Sequence, residues 1–227
     1  MGRRTTVAAG VAGSLGAAMM AGQVLGRRSG STAADRARTF PGDELVPSPT
    51  VLTNHAATLP APPCEVWPWL TQTGWHRGGW YTARWVDRLL FPANLPSAER
   101  LDPALLRELA VGGTVPDGPP GTAEFVVAQV EPPRLLVLHS TTHVPESWRE
   151  RTGASIDWVW TFALDPVGPD RTRMLIRTRA RTSPWWLTAC YLAALVPADH
   201  VMATSMLRGL AERVSRRPGP EPRPAGG

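Results

Sequence analysis

The segments SIDWVWTFAL, from Ser155 to Leu164, and RTRMLIRTRAR, from Arg171 to Arg181, decide the fold. Within each segment, side chains suited to a buried face alternate with side chains suited to the opposite face. This two-residue period is typical of a strand with one buried face. The turn-rich residues Asp165–Asp170 separate the two segments, which predicts an antiparallel hairpin. The residues predicted to face inward are Ile156, Trp158, Trp160, Phe162 and Leu164 in the first strand and Thr172, Met174, Ile176, Thr178 and Ala180 in the second.

The outward face of the second strand is rich in arginine. Its members are Arg171, Arg173, Arg177, Arg179 and Arg181. Such a row could bind phosphate groups, but the solvated face of an exposed strand has the same composition, and we expect this face to lie in water.

Further elements flank the hairpin on both sides. The sequence predicts strands over Val51–Leu59, Thr122–Val130 and Arg134–His139, and helices over Glu65–Gln72, Thr82–Leu90, Pro103–Leu109, Trp185–Leu195 and Pro197–Arg216. The last helix carries an apolar stripe at every fourth residue. This order predicts an α+β fold, because strands and helices do not alternate, with a curved antiparallel sheet wrapped around a long C-terminal helix. A space between such layers is a natural small-molecule site.

Composition divides the chain into four parts. Residues 1–28 contain an uncharged run, residues 5–25, with arginines on both sides. That run is long enough to cross a bilayer, so we expect it to anchor the protein in the membrane. The alternatives are a cleaved export signal and a cytoplasmic tail. Residues 29–49 are predicted to be a linker, 50–215 one folded domain and 216–227 a disordered tail.

The charge of the chain lies in its terminal parts. The formal net charge is +5, but residues 1–38 and 215–227 hold nine arginines against two acidic residues, which leaves 39–214 at −2. A near-neutral domain lacks the basic face that a phosphate backbone requires, and no recognition-helix or zinc-finger spacing is present. We therefore expect no nucleic-acid partner. Nothing in the sequence specifies an oligomeric state.

Neither a metal nor a cofactor is predicted. His139 and His143 are four residues apart, but they fall at a strand end and in a loop, and no third ligand is evident nearby. The sequence contains no phosphate-binding loop, dinucleotide fingerprint or nucleophile elbow.

Six segments, taken in order, resemble the SRPBCC superfamily, the START-like helix-grip group that includes polyketide cyclase and dehydrase relatives. They are WPWLTQ (67–72), RGGWY (77–81), EPPRLLV (131–137), WTFALDP (160–166), TRMLIR (172–177) and MLRGL (206–210). The resemblance implies a helix-grip fold whose cavity, between the sheet and the long helix, commonly holds lipids, sterols or polyketides. Two positions depart from the pattern, because Arg84 stands where an acidic residue is expected and Gly113 where Asp is common.

The most unusual stretch is WHRGGWY, residues 75–81. Its rings could line the mouth of a cavity while Arg77 meets an acidic or carbonyl group, or they could only plug one end of the sheet. The predicted ligand-binding residues are Trp75, Arg77, Trp80, Tyr81, Phe125, His139, Trp158, Trp160, Met174, Ile176, Met202 and Met206. No catalytic residue is assigned.

Three functions fit these expectations. The first is binding of a hydrophobic small molecule, a lipid or a polyketide-like compound, in the cavity. The alternative is a polyketide cyclase or dehydratase in which Arg77 or His139 assists enolisation or loss of water. The third is an interaction module with a fully packed interior.

Overall fold

The computed structural model describes residues 22–24 and 26–216. Most of the predicted anchor and nearly all of the predicted C-terminal tail lie outside the described residues. The strands are β1 (Val51–Leu59), β2 (Thr114–Pro116), β3 (Glu124–Glu131), β4 (Leu135–Ser140), β5 (Ser155–Gly168) and β6 (Arg171–Ser183). The helices are α1 (Ala33–Ala37), α2 (Pro63–Thr71), α3 (Arg84–Leu90), α4 (Glu146–Thr152), α5 (Trp185–Cys190) and α6 (Val196–Ser215).

All six strands form one antiparallel sheet in the order β1-β6-β5-β4-β3-β2. The predicted hairpin is confirmed as β5 and β6, with Trp158 opposite Ala180 and Trp160 opposite Thr178. The inward side chains of β5 and β6 pack against α6 in the main core, as their alternation predicts. That core includes Trp160, Phe162, Leu164, Met174, Ile176, Met206, Leu207 and Leu210.

The C-terminal helix runs without a break from Trp185 to Ser215. The sequence predicts two helices separated near Pro197, but a π-helical segment, Tyr191–Leu195, joins α5 to α6. In this segment the N–H of Val196 bonds to the carbonyl of Tyr191. Because proline has no N–H to donate, one widened turn just ahead of Pro197 lets the helix continue through it.

The prediction that the arginine row lies in water is wrong for its middle members, whereas Arg171 and Arg181 at the two ends are exposed. Residues 29–49, which we name the N-terminal strap, cover the outer face of the sheet. Arg173 donates to the Gly30 carbonyl and Arg179 to the Val46 carbonyl, while the Arg177 side chain is only 4% exposed. Apolar strap residues pack there too, so the sheet is buried on both faces. The outer cluster consists of Phe40, Val46, Ala56, Leu135, Val137, Val159, Ala163 and Leu175.

The predicted helix over Pro103–Leu109 is also wrong. The chain makes only a turn there, in which Asp102 Oδ1 accepts the Ala104 N–H at 2.9 Å. The carbonyl of Leu105 is bound by the Arg77 side chain at 2.5 Å, and the side chain of Arg107 donates to the Thr114 carbonyl. Arginine side chains thus satisfy backbone groups around this segment.

The predicted N-terminal membrane anchor requires correction. Among the described residues, one helix is long and apolar enough to cross a membrane, and it is Trp185–Ser215 at the C-terminus. The second half of this helix packs on the sheet through Met206, Leu207 and Leu210. An N-terminal anchor is therefore not supported, and the long apolar helix of the described chain belongs to the folded domain.

Candidate ligand-binding site

A cavity of about 270 Å³ lies between the inner face of the sheet and the C-terminal helix. Strands β1, β5 and β6 form one wall, and the π-helical segment and the start of α6 form the other. The end of α3 and the loops after β2 and β4 complete the lining. The lining residues are Val51, Thr53, Leu90, Phe91, Asp117, His143, Trp158, Trp160, Thr178, Ala180, Tyr191, Leu195, Val196, Ala198, Asp199 and Met202.

The C-terminal helix approaches the rest of the domain unevenly. At Gly209 it lies so close to the carbonyl of Tyr81 that an added Cβ would stand 1.9 Å from that oxygen. The cavity lies about two to five turns earlier, from Tyr191 to Met202. Close contact at one end and separation at the other explain why the space lies beside the π-helical segment and the N-terminal part of α6.

The cavity wall is largely aromatic. Trp158 and Trp160 lie two residues apart on the inner face of β5, with ring centres 6.4 Å apart. Behind them, Trp80 packs against Trp160 at 4.9 Å and Phe125 meets the edge of Trp158 at 5.5 Å. These buried rings hold the two cavity indoles in place.

An aspartate–histidine pair lies at the edge of the cavity. His143 Nε2 bonds to Asp117 Oδ2 at 2.9 Å, and its Nδ1 bonds to Ser140 Oγ at 2.8 Å. Because an ionised carboxylate only accepts, His143 donates from Nε2, which leaves Nδ1 to accept from or donate to the serine hydroxyl. Burial raises the pKa of Asp117, and the hydrogen bond and charge of His143 and the nearby Trp80 indole offset only part of that rise.

A second carboxylate, Asp199, enters the cavity from the first turn of α6. It accepts hydrogen bonds from Thr53 at 2.6 Å, His55 at 2.8 Å and Thr178 at 3.3 Å. These donors come from β1 and β6, so Asp199 ties the start of α6 to the sheet. Both carboxylates that line the cavity are therefore held by histidines.

Tyr191 contributes a neutral phenol to the lining. Burial raises its pKa to about 12, and its hydroxyl donates to the His143 carbonyl at 3.2 Å. This bond connects the π-helical segment to the loop that carries His143.

Three of the predicted ligand-binding residues, Trp158, Trp160 and Met202, line the cavity. Five others, each no more than 2% exposed, lie in the core beside it. They are Trp80, Phe125, Met174, Ile176 and Met206.

The remaining four predicted residues do not line the cavity, although Tyr81 belongs to the same buried core. Arg77 donates to the backbone carbonyls of Thr71, Thr73 and Leu105, Tyr81 donates to the Trp69 carbonyl, and Trp75 stacks on His76. His139 bonds to Asp157 Oδ1 at 2.6 Å, on the side of β4 away from the cavity. Their predicted part in ligand binding remains untested, and none of the four touches the cavity.

The sequence did not point to the polar groups of this site. Asp117 follows a three-residue strand with no motif around it, and it meets His143 from 26 positions away. Asp199 lies in the first turn of α6, also with no motif around it. Only the folded structure shows that Asp117 and Asp199 are polar groups of one cavity.

A second depression, of about 280 Å³, lies outside the layers, between α3 and α6. Charged side chains surround it, among them Glu99, which is bonded to Arg213 and Arg216. It lacks the apolar wall of the internal cavity, which is therefore the candidate site.

No protein-family model and no curated protein matches the sequence. Among solved structures, an Arthrobacter aurescens protein is 17% identical over 72% of this chain and 87% of its own, with a TM-score of 0.44. CalU16 from Micromonospora echinospora is 19% identical over 72% and 83%, with a TM-score of 0.33. A norcoclaurine synthase point mutant from Thalictrum, in complex with a transition state analogue, is 14% identical over 71% and 94%, with a TM-score of 0.38.

These likenesses concern the arrangement of elements and say nothing about ligand or activity. In this chain the inner face of a six-stranded antiparallel sheet packs on the long C-terminal helix. The chain therefore has the α+β helix-grip fold that its resemblance to the SRPBCC superfamily implied.

Proposed function

We propose that the protein binds a hydrophobic small molecule, a lipid or a polyketide-like compound, in the cavity between the sheet and the C-terminal helix. The observation that carries this proposal is the cavity of about 270 Å³, whose walls are mainly apolar and aromatic. That volume is just below the usual range for small-molecule sites, roughly 300–1,000 Å³.

The construction of the cavity supports this function. Its indoles are fixed by buried neighbours, and its carboxylates are fixed by hydrogen bonds from other elements. A site formed before the ligand arrives avoids part of the entropy cost of binding. The few polar groups on an apolar wall would orient the bound molecule.

Native mass spectrometry of gently purified protein tests the proposal. We expect an added mass that is lost on denaturation, or, after delipidation, saturable 1:1 binding of the neutral apolar dye N-phenyl-1-naphthylamine or of the neutral probe 1-naphthalenemethanol. A mass spectrum without any added mass, together with no binding of either compound, would refute the proposal.

A second candidate is an enzyme of the cyclase or dehydratase type acting in the same cavity. The observation that favours it is the Asp117–His143 pair, because a buried carboxylate whose pKa is raised is suited to take up a proton. In this candidate Asp117 takes the part that the sequence suggested for Arg77 or His139, neither of which lines the cavity.

Exchange of the α-protons of 2-tetralone in D₂O, followed by NMR, tests the second candidate. Enolisation by Asp117 predicts faster exchange with the wild-type protein than with buffer, and loss of that acceleration in Asp117→Asn. Equal rates with and without protein would count against an enolising enzyme.

A further inference from the structure

The ionisable side chains of the cavity include two carboxylates and one histidine, His143, which is bonded to one of them. Asp117 lines the cavity from the loop after β2 and Asp199 from the start of α6. None of the described arginines lines it, and the chain contains no lysine. A carboxylate or phosphate on a ligand would meet these two groups in a poorly screened interior, where like charges repel strongly. The lining therefore disfavours anionic ligands.

The aromatic part of the wall favours the opposite charge. Phe91, Trp158, Trp160 and Tyr191 all line the cavity. The faces of such rings attract organic cations, and the attraction increases when the cation is removed from water. Aromatic rings and carboxylates around one apolar space form a combination that suits a positively charged group with an apolar body.

One oxygen of the Asp117 carboxylate lacks a hydrogen-bond donor among the described residues. Its Oδ2 accepts from His143, but its Oδ1, although buried, accepts no hydrogen bond of normal geometry from any described residue, the nearby Trp80 indole included. A buried carboxylate oxygen without a donor is costly, so Oδ1 favours a further donor or a positive charge beside it. By contrast, three donors surround Asp199.

Resting on the proposed ligand-binding function, we propose that the cavity takes a hydrophobic amine, an aromatic or alicyclic body with one ammonium group that pairs with Asp117. The ammonium fills the position left at Oδ1, and the apolar body lies against Trp158 and Trp160. Fatty acids and other anionic amphiphiles of similar size are poor ligands.

Three probes of nearly equal shape test this preference. At pH 7, 1-naphthylmethylamine is a cation, 1-naphthalenemethanol is neutral and 1-naphthoic acid is an anion. Isothermal titration of the full chain should give an affinity for the amine at least roughly tenfold higher than for the alcohol, with the acid weakest. An amine that binds no tighter than the alcohol overturns the proposal, as does an acid that binds as well as the amine.

Two variants test whether Asp117 is responsible for the preference for the amine. Asp117→Asn keeps the size of the side chain and should reduce amine affinity about tenfold while changing alcohol affinity by less than about twofold. The matched control is Asp157→Asn, whose carboxylate pairs with a histidine away from the cavity and which should change neither affinity. Amine affinity that is equal in wild type and Asp117→Asn contradicts the proposal. If Asp117→Asn does not fold, the comparison of the three probes on the wild-type protein still tests the proposed preference for the amine.

The outcomes separate this inference from the proposed function. Binding of the alcohol without a preference for the amine leaves a hydrophobic site and refutes only the preference. Failure of all three probes to bind, together with a bare polypeptide in native mass spectrometry, refutes both.

Discussion

Arg177 on β6 donates a hydrogen bond of 2.7 Å to Asp43 of the N-terminal strap. The same guanidinium donates to Asn54 and to the Arg38 carbonyl, and it lies 4.1 Å from the centre of the Phe40 ring. One buried side chain thus joins strap and sheet, while the C-terminal helix packs on the other face. The domain consequently has three layers, and its cavity lies between the second and third.

Replacing Arg177 should destabilise the fold. Arg177→Ala removes a charge that is 4% exposed and leaves Asp43, which is 13% exposed, without that partner. Breaking a buried ion pair in this way typically costs about 3–5 kcal/mol, and we expect a loss in that range in urea unfolding.

The control is Arg171→Ala at the exposed start of the same strand. A surface change of this kind should alter the free energy of unfolding by no more than about 0.5 kcal/mol. Equal effects of the two substitutions would show that the strap contributes little to stability.

Asp35 should make stability depend on pH. Burial by itself raises the pKa of Asp35, but hydrogen bonds from Arg173 and Thr32 outweigh it and hold this pKa below its usual value of 3.8. Since the pKa is lower in the folded state, the stabilising contribution is present above about pH 4 and is lost as the pH falls through the folded-state pKa.

Urea unfolding at about pH 6.5 and about pH 3 measures this contribution. Asp35→Asn should be less stable than wild type at the higher pH, and the difference should shrink at the lower pH. Asp170→Asn, in an exposed turn, should show little difference at either pH. A wild-type advantage over Asp35→Asn that grows on acidification would contradict a lowered pKa of Asp35 in the folded state.

Gly209 should not tolerate a side chain. In a helix interior, alanine is usually favoured over glycine by about 1 kcal/mol. At this position an added Cβ would stand 1.9 Å from the Tyr81 carbonyl, which belongs to a residue at φ 59°. We expect Gly209→Ala to destabilise by about 1–3 kcal/mol in thermal or urea unfolding, because the helix must move away from this contact.

The exposed position Glu212, on the same helix, supplies the comparison for Gly209. Glu212→Ala should be nearly neutral. A stabilised Gly209→Ala protein would mean that helix and loop are not in close contact, and such contact could then no longer explain the position of the cavity.

Filling the cavity should abolish binding without unfolding the protein. Ala198 lines the cavity from α6, so Ala198→Phe should place a ring in the ligand's space. We expect affinity for 1-naphthalenemethanol to fall more than roughly tenfold, with a free energy of unfolding within about 1 kcal/mol of wild type. Ala193→Phe, at an exposed position of the π-helical segment, should bind normally. Unimpaired binding by Ala198→Phe would place the ligand elsewhere.

The inner face of the sheet could be predicted from the sequence because strand periodicity is local. Alternation alone assigned Trp158 and Trp160 to the face that meets the C-terminal helix, and two of the predicted site residues follow directly from it. Met202 was predicted from the apolar stripe of the same helix, which is likewise a local pattern.

What the sequence could not reveal depends on contacts between distant segments. The outer face of β6 has the composition of a solvated face, but Arg177 meets Asp43 across 134 positions. Asp117 becomes part of a site only when the loop after β4 brings His143 to it. Arg77 was predicted to meet a ligand, but its guanidinium donates instead to the backbone carbonyls of Thr71, Thr73 and Leu105. Periodicity carries no information about such pairings.

The most direct measurement of ligand position is an NMR experiment on protein with ¹³C-labelled methionine methyl groups and bound 1-naphthalenemethanol. Met202 lines the cavity, whereas Met174 and Met206 are buried in the core beside it. Intermolecular nuclear Overhauser effects should connect the naphthalene protons to the Met202 methyl group and to the indoles of Trp158 and Trp160. Ligand contacts confined to exposed rings such as Trp85 or Trp185, with none to Met202, would contradict a binding site between sheet and helix.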